Sequence, residues 1–153
     1  MHDDLPCGCP GASVRTVEPT ETDDNDATGR ISSELRQWPT QLHLVPPHAP
    51  WLRDADFLVA ADCTPFAYAE FHRDFIKGHT LVNACPKLDN TGPYVERLTQ
   101  ILERNDIKSL TVAIMEVPCC RGLAMMAQQA LRDSGKDIPF ELAVIGVDGS
   151  RRM

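Results

Sequence analysis

The chain has 153 residues, a formal net charge of −7 and a hydrophobic content of 42%, which together predict one compact domain with a core of ordinary size. It has no basic stripe and no aromatic-basic interleaving, so neither nucleic-acid binding nor membrane-surface binding is expected. No apolar run approaches the ~20 residues of a membrane helix, and the N-terminus lacks the segments of a signal peptide, which predicts a cytoplasmic protein.

The first 30 residues predict a flexible acidic arm. Residues 1–29 hold seven acidic side chains against the single basic Arg15, a net charge of −6 that leaves −1 for the rest of the chain. Residues 13–30 combine Thr, Asp, Glu and Pro with almost no apolar side chains, a composition that cannot offset the entropy of ordering. We therefore expect residues 1–30 to tether a "CGCPG" motif, with Cys7 and Cys9, to a cysteine-rich α/β domain over residues 31–153.

Apolar runs and helical patterns alternate from residue 39 onward. Strands are predicted over residues 40–45, 56–62, 79–84, 108–117 and 140–147. Helices are predicted over residues 64–78, 93–105 and 119–135. Because strands that alternate with helices pair in parallel, the sequence predicts a three-layer α/β fold, with an open, mainly parallel sheet of about five strands and helices on both faces.

Four of the six cysteines come within three residues after the end of a predicted strand: Cys63, Cys85, Cys119 and Cys120. Loops that leave the carboxyl ends of parallel strands share one edge of the sheet, where α/β proteins bind their ligands. Cys63 and the Cys119–Cys120 pair also lie near predicted helix N-termini, which favour the thiolate form. The spacing therefore predicts a metal or redox site at this edge.

Several kinds of site fit these thiols. Thiolate ligands suit an iron-sulfur cluster or a structural or regulatory zinc ion. A cluster-free dithiol redox switch would instead use Cys119 with Cys120, or Cys7 with Cys9. An interaction module whose acidic arm recruits a partner is a further interpretation. A lone buried cysteine is more often a small hydrophobe, but three loops with cysteine at the same relative place are hard to explain by core packing.

Long strings of the sequence resemble a known family. These are "SELRQWPTQLHLVPPHAPWL", "ADFLVAADCTPFAYAEFHRDFIKG", "ACPKLDN", "NDIKSLTVAIMEVPCCRGL" and "SGKDIPFELAVIG", with the upstream "CGCPG". They are similar to the C-terminal domain of anaerobic 4Fe-4S ferredoxin-type, or iron-sulfur-binding, oxidoreductase proteins, and the resemblance covers about residues 31–146.

The resemblance implies a [4Fe-4S]-type cluster and a role in electron transfer or as an oxidoreductase component. The expected ligands are Cys63, Cys85 and one or both of Cys119 and Cys120, with Cys7 and Cys9 completing or capping the site. Members of the family often carry an N-terminal dicluster ferredoxin segment, and no such run of cysteines precedes Cys7. The expected partner is therefore a separate ferredoxin or redox protein.

Overall fold

A computed structural model of the chain describes residues 10–19 and 29–152. The strands are β1 (Arg15–Thr16), β2 (Gln37–Trp38), β3 (Asp56–Ala61), β4 (Thr80–Ala84), β5 (Ser109–Met115), β6 (Phe140–Ile145) and β7 (Arg151–Arg152). The α-helices are α1 (Thr64–Ala67), α2 (Tyr94–Arg104) and α3 (Arg121–Ser134), and a π-helical turn covers His72–Ile76. Short 3-10 turns cover Pro10–Ala12, Leu42–Leu44, Pro50–Leu52 and Pro118–Cys120.

The main sheet has the strand order β4-β3-β5-β6-β7. Strands β4, β3, β5 and β6 are parallel, and β7 pairs antiparallel with β6. From β3 the chain moves to β4 on one side and then crosses to β5 on the other. The strand order therefore reverses between β3 and β5, and ligands of open α/β sheets bind where such a reversal opens a crevice at the carboxyl ends.

Helices cover both faces of this sheet, as the sequence predicted. Every residue of β3 and β5 after the first is buried, which requires cover on both sides. Helices α2 and α3 pack against each other, and right-handed crossovers place α1 and the π-helical turn on the opposite face. The three-layer, mainly parallel α/β fold is thus confirmed, and its fifth strand is the antiparallel β7.

The outer edge of β4 is covered by the segment that carries β2. The Gln37 side chain donates from Nε2 to the Leu81 carbonyl at 2.8 Å and accepts from the Leu81 N–H at 3.2 Å. Further along, the Asn83 N–H donates to the Thr40 carbonyl at 2.9 Å. A buried amide side chain therefore supplies the hydrogen bonds that a neighbouring strand would supply, and it covers an edge open to pairing with another chain.

The predicted strand over residues 40–45 was wrong. Only Gln41 forms an isolated bridge there, with Asn83, and Leu42–Leu44 is a 3-10 turn capped by the Gln41 side chain. Leu42 and Val45, three residues apart, are fully buried, whereas Leu44 is exposed. This spacing of three residues matches the period of a 3-10 turn. The apolar residues of this segment therefore follow the period of that turn and not the period of two that a strand has.

The predicted helix over residues 64–78 is interrupted. Helix α1 ends after one turn because Tyr68 adopts an extended conformation, and the chain then forms the π-helical turn His72–Ile76. Phe71 and Phe75 are buried, but Phe66 is 92% exposed. The apolar residues of this stretch therefore do not share one helix face. Gly78, with a positive φ of 78°, ends the segment as predicted.

Part of the segment predicted as a linker pairs with the domain. Strand β1 pairs antiparallel with β2, and the Trp38 indole donates to the Gly11 carbonyl at 2.6 Å. The Arg15 guanidinium also donates to the Pro10 carbonyl at 2.7 Å, and the two bonds hold the turn Pro10–Ala12 beside β1 and β2. The described part of the chain contains no helix with the length and apolar character needed to cross a membrane.

Candidate thiol site at the carboxyl edge of the sheet

Four free cysteines follow three adjacent strands, and we call the end of the sheet where they lie the carboxyl edge. They follow β3, β4 and β5, and they differ in exposure: Cys63 and Cys119 are exposed, Cys85 is half-buried and Cys120 is buried. The site thus combines two thiols that solvent reaches with two that the protein shields. Cys7 and Cys9, also predicted as ligands, lie outside the described residues.

Cys63 is the N-cap residue of α1 and is held by the turn that follows β3. Its carbonyl accepts hydrogen bonds from the N–H groups of Phe66 at 3.2 Å and Ala67 at 3.1 Å. The fully buried Thr64, the first residue of α1, donates its hydroxyl hydrogen to the Ala61 carbonyl at 2.8 Å. This bond ties the first turn of α1 to the end of β3 and fixes the backbone beside the Cys63 thiol.

The Cys119–Cys120 pair occupies the 3-10 turn that joins β5 to α3. Pro118 begins that turn, and Cys120 is the N-cap residue of α3. Burial raises the pKa of the Cys120 thiol, a backbone N–H of Met115 opposes this rise, and the nearby Cys119 and Cys63 sulfurs add to it. The Cys63 and Cys119 sulfurs thus lie near enough to Cys120 to act on its thiol, and Cys120 favours its protonated form in metal-free protein.

The loop after β4 reaches across β3 toward the start of α3. A Cβ added at Gly122 would lie 3.5 Å from the Cβ of Pro86, which is ordinary van der Waals contact. Pro86 directly follows Cys85, and Gly122 lies two residues after Cys120. Close packing of this glycine against this proline thus brings the loop of Cys85 beside the loop of the cysteine pair.

Cys85 begins a hydrogen-bonded turn over residues 85–89, which we call the Cys85 turn. The Asp89 N–H donates to the Cys85 carbonyl at 3.0 Å, and the Leu88 N–H donates to Cys85 Sγ at 3.4 Å. Asp89 Oδ2 in turn accepts from the Cys85 N–H at 2.9 Å. The thiol therefore lies on a closed turn with a backbone donor directed at its sulfur.

Two further side chains join the Asp89 carboxylate to the rest of the fold. Its Oδ2 also accepts from Gln41 Nε2 at 3.0 Å and from the hydroxyl of the fully buried Tyr94. Partial burial raises the pKa of Asp89, but the hydrogen bonds from Tyr94, Cys85 and Gln41 outweigh it, so the pKa lies below its ordinary value. The carboxylate is thus ionised near neutral pH.

The two acids that end strands beside the cysteines have partners within the protein. Asp62 Oδ1 accepts from Asn83 Nδ2 at 2.7 Å, and Glu116 Oε2 accepts from the Val147 N–H at 2.6 Å. Within residues 10–19 and 29–152, no group of three or more His, Cys, Asp or Glu side chains is arranged to hold a metal ion. The described thiols share one edge without forming a ready ligand set.

A family profile described as a Rossmann-like domain matches residues 49–152. The chain belongs to this Rossmann-like family. It is 34% identical over 117 residues to a protein of Archaeoglobus fulgidus described as uncharacterized, an alignment that covers 76% of this chain and 82% of that protein. The search of solved structures gave no match. The comparisons establish the Rossmann-like fold, and the resemblance to iron-sulfur proteins stays a prediction.

The sequence located the thiols of this Rossmann-like domain but not the residues that hold them. Asp89, Gln41 and Tyr94 carry no ligand motif, and Gln41 lay in a segment predicted as a strand. In "CPKLD", Asp89 bonds back to the N–H of Cys85, four residues earlier. The usual aspartate turn bonds to the backbone two residues later, so no local turn motif identified this bond in the sequence.

Proposed function

We propose that this Rossmann-like domain binds a [4Fe-4S]-type iron-sulfur cluster at its carboxyl edge and acts in electron transfer, as a component of an oxidoreductase system. The observation that carries the proposal is the convergence of four free cysteines from the loops after β3, β4 and β5: Cys63, Cys85, Cys119 and Cys120. Thiolates are the usual ligands of iron-sulfur clusters, and the loops that carry these four thiols all leave the carboxyl ends of parallel strands, the edge at which α/β sheets bind ligands.

The donor chemistry of the residues fits such a cluster. Soft thiolate sulfur favours iron-sulfur clusters and zinc over hard cations such as magnesium. The acids that follow β3 and β5 directly, Asp62 and Glu116, already accept hydrogen bonds from protein groups and are not needed as ligands. Because the described thiols are not arranged as a ready ligand set, binding would draw the loops together, as coupled folding and metal binding commonly do.

An iron-sulfur cluster, when bound, takes up and releases single electrons. The protein's own residues set the conditions for that chemistry. The Leu88 N–H directed at Cys85 Sγ would stabilise negative charge on that sulfur, and hydrogen bonds to ligand sulfurs are a main control of cluster potential. Burial shields Cys120 from water, whereas the exposed Cys63 and Cys119 lie on the side from which a partner would approach.

Cys7 and Cys9 have a proposed role in completing or covering the site. The described chain begins at Pro10, next to Cys9, and the Gly11 carbonyl accepts from the indole of Trp38, which belongs to the segment that continues along β4 toward the carboxyl edge. An adjacent pair such as Cys119 and Cys120 is difficult to fit on one metal site, so a thiol from the N-terminal motif is a reasonable further ligand. A separate ferredoxin or redox protein would exchange the electrons.

Metal and sulfide analysis tests the proposal directly. The full chain is purified and reconstituted under anaerobic conditions, and iron, zinc and acid-labile sulfide are measured beside visible and EPR spectra. We expect about four iron and four sulfide per chain, with loss of the chromophore in Cys63→Ala, Cys85→Ala and Cys120→Ala. Lys136→Ala, an exposed change after the C-terminus of α3, is the matched control and should keep the full spectrum.

Either of two results would favour another kind of thiol site over the iron-sulfur cluster. Stoichiometric zinc without iron or sulfide would identify a structural or regulatory zinc-thiolate site. Metal-free protein that reversibly forms one disulfide, with no cluster after reconstitution, would identify a dithiol switch on Cys119 and Cys120 or on Cys7 and Cys9. Cysteine variants that are indistinguishable from the parent in metal content and in spectrum would rule out the proposed ligands.

A further inference from the structure

Asp89 connects the Cys85 turn to two other parts of the fold through a single oxygen. Its Oδ2 accepts from the Cys85 N–H at 2.9 Å, from Gln41 Nε2 at 3.0 Å and from the Tyr94 hydroxyl. Gln41 belongs to the segment beside β4, and Tyr94 is the first residue of α2. Because charge-assisted hydrogen bonds are the strong ones, the carboxylate cannot rotate without a substantial loss of bonding.

The same residue holds the backbone on both sides of the thiol. The Cys85 N–H donates to the Asp89 side chain, while the Cys85 carbonyl accepts from the Asp89 N–H at 3.0 Å. Between these two bonds the Cys85 sulfur faces the Leu88 N–H at 3.4 Å. If the Asp89 carboxylate is removed, the Cys85 N–H loses its acceptor, and the turn loses its connection to Gln41 and Tyr94.

Packing fixes the positions of the two side chains that donate to Asp89. Tyr94 is fully buried and its ring lies 4.7 Å from the ring of His43, so its hydroxyl is held at a fixed place in the fold. Gln41 is likewise fixed, because its Oε1 accepts from the His43 N–H at 2.7 Å. Contacts with other residues thus fix the positions of both donors, and the donors in turn fix the orientation of the Asp89 carboxylate.

We propose that Asp89 is the positioning residue of the Cys85 thiol, which it holds in the half-buried orientation that faces the Leu88 N–H. This inference rests on the proposed function in one respect only, the role of the Cys85 thiol as a cluster ligand. The orientation itself is a property of the metal-free chain and is measurable without any cluster.

Site-resolved alkylation of the metal-free, reduced full chain tests this assignment. The protein reacts with iodoacetamide under anaerobic conditions, and peptide mass spectrometry gives separate rates for Cys63, Cys85 and Cys119. In Asp89→Ala we expect the rate at Cys85 to rise about tenfold, since loss of one charge-assisted bond favours the open turn by roughly that factor. The rates at Cys63 and Cys119 should not change.

Two variants separate positioning from general loss of stability. Asp89→Asn keeps an acceptor oxygen and should give a rate at Cys85 between those of the parent and Asp89→Ala. Asp56→Ala removes a comparable half-buried carboxylate, which accepts from Ser109 Oγ at 2.7 Å where β3 begins, at the opposite end of the sheet. It should leave all three rates unchanged.

An unchanged rate at Cys85 in Asp89→Ala, or an equal rise at all three thiols, would overturn the assignment. If circular dichroism shows that Asp89→Ala does not fold, Asp89→Asn decides the question by the same criterion of a rise confined to Cys85. The outcome is independent of the iron and sulfide counts. A missing cluster therefore rejects the proposed function without rejecting the role of Asp89, and the reverse also holds.

Discussion

The backbone N–H of Cys85 donates to Oδ2 of Asp89 at 2.9 Å, so the residue that carries the thiol is bonded to a carboxylate four positions later. The same oxygen accepts the Tyr94 hydroxyl hydrogen at the start of α2. A candidate ligand on a loop is thereby connected to a buried residue of the helical layer. The connection makes the stability of the fold and the geometry of the candidate site depend on the same hydrogen bonds.

Tyr94→Phe should destabilise the metal-free protein by about 2 kcal/mol, the usual range for losing a hydrogen bond to a charged group. The ring stays buried, so the loss of stability comes from the missing hydroxyl group alone. Urea denaturation followed by circular dichroism gives the free energy of unfolding. Tyr68→Phe is the matched control, because Tyr68 also donates to an aspartate, Asp74, but at the surface. We expect a smaller loss there, and equal losses would contradict a special role for the buried bond.

The sequence predicted those parts of the fold that continuous apolar runs or one helical face specify. Strands β3, β4 and β5 formed within two residues of their predicted ends, since their side chains are buried in a sheet covered on both faces. Helix α2 formed within one residue of its predicted ends, and its buried residues, Tyr94, Leu98, Ile101 and Leu102, share one helical face.

The parts that the sequence did not predict depend on contacts between distant residues. Gln37 bonds to Leu81, 44 positions away, and Gln41 bonds to Asp89, 48 positions away. Neither pairing leaves a periodic pattern in the local sequence. The candidate site shows the same division, because a cysteine after a strand is visible in the sequence, whereas the carboxylate that holds its turn is identified only once the segments have packed.

Gly135→Ala and Gly122→Ala should change stability in opposite directions. Gly135 ends α3 with φ at 69°, so an alanine there should cost about 1 kcal/mol through backbone strain. Gly122 lies inside α3, and its added Cβ would make ordinary contact with Pro86. Because alanine is a better helix former, Gly122→Ala should stabilise the metal-free protein by up to about 1 kcal/mol. Urea denaturation measures both changes. A destabilised Gly122→Ala would show that the Cys85 loop packs more tightly on α3 than described.

Stability should depend on the ionisation of Asp74 at acidic pH. Hydrogen bonds from Tyr68, at 2.6 Å, and from Arg73 hold the pKa of Asp74 below its ordinary value. The folded state thus favours the ionised carboxylate. Its contribution is fully present above the unfolded-state pKa of about 3.9 and disappears as the pH falls through the lower folded-state pKa.

Asp74→Asn tests this dependence through urea denaturation over a range of pH. The variant should be less stable than the parent at neutral pH, and the difference should shrink as the pH falls below about 4. Asp137→Asn, a change at an exposed aspartate after α3, is the control and should track the parent across the range. A difference between Asp74→Asn and the parent that stays constant down to the lowest pH would contradict the role of the charge.

Gln37→Ala should be among the more costly polar substitutions in this protein. Gln37 is only 2% exposed, and its side chain satisfies both the N–H and the carbonyl of Leu81 at the outer edge of β4. Its removal leaves those two backbone groups without their partners, which should lower the free energy of unfolding by about 2 kcal/mol. Gln129→Ala, at an exposed position of α3, should cost less than about 0.5 kcal/mol. Urea denaturation gives both values, and native-state hydrogen exchange at the Leu81 N–H should accelerate in Gln37→Ala alone. Unchanged exchange at that N–H would mean that another group replaces Gln37 at the edge of the sheet.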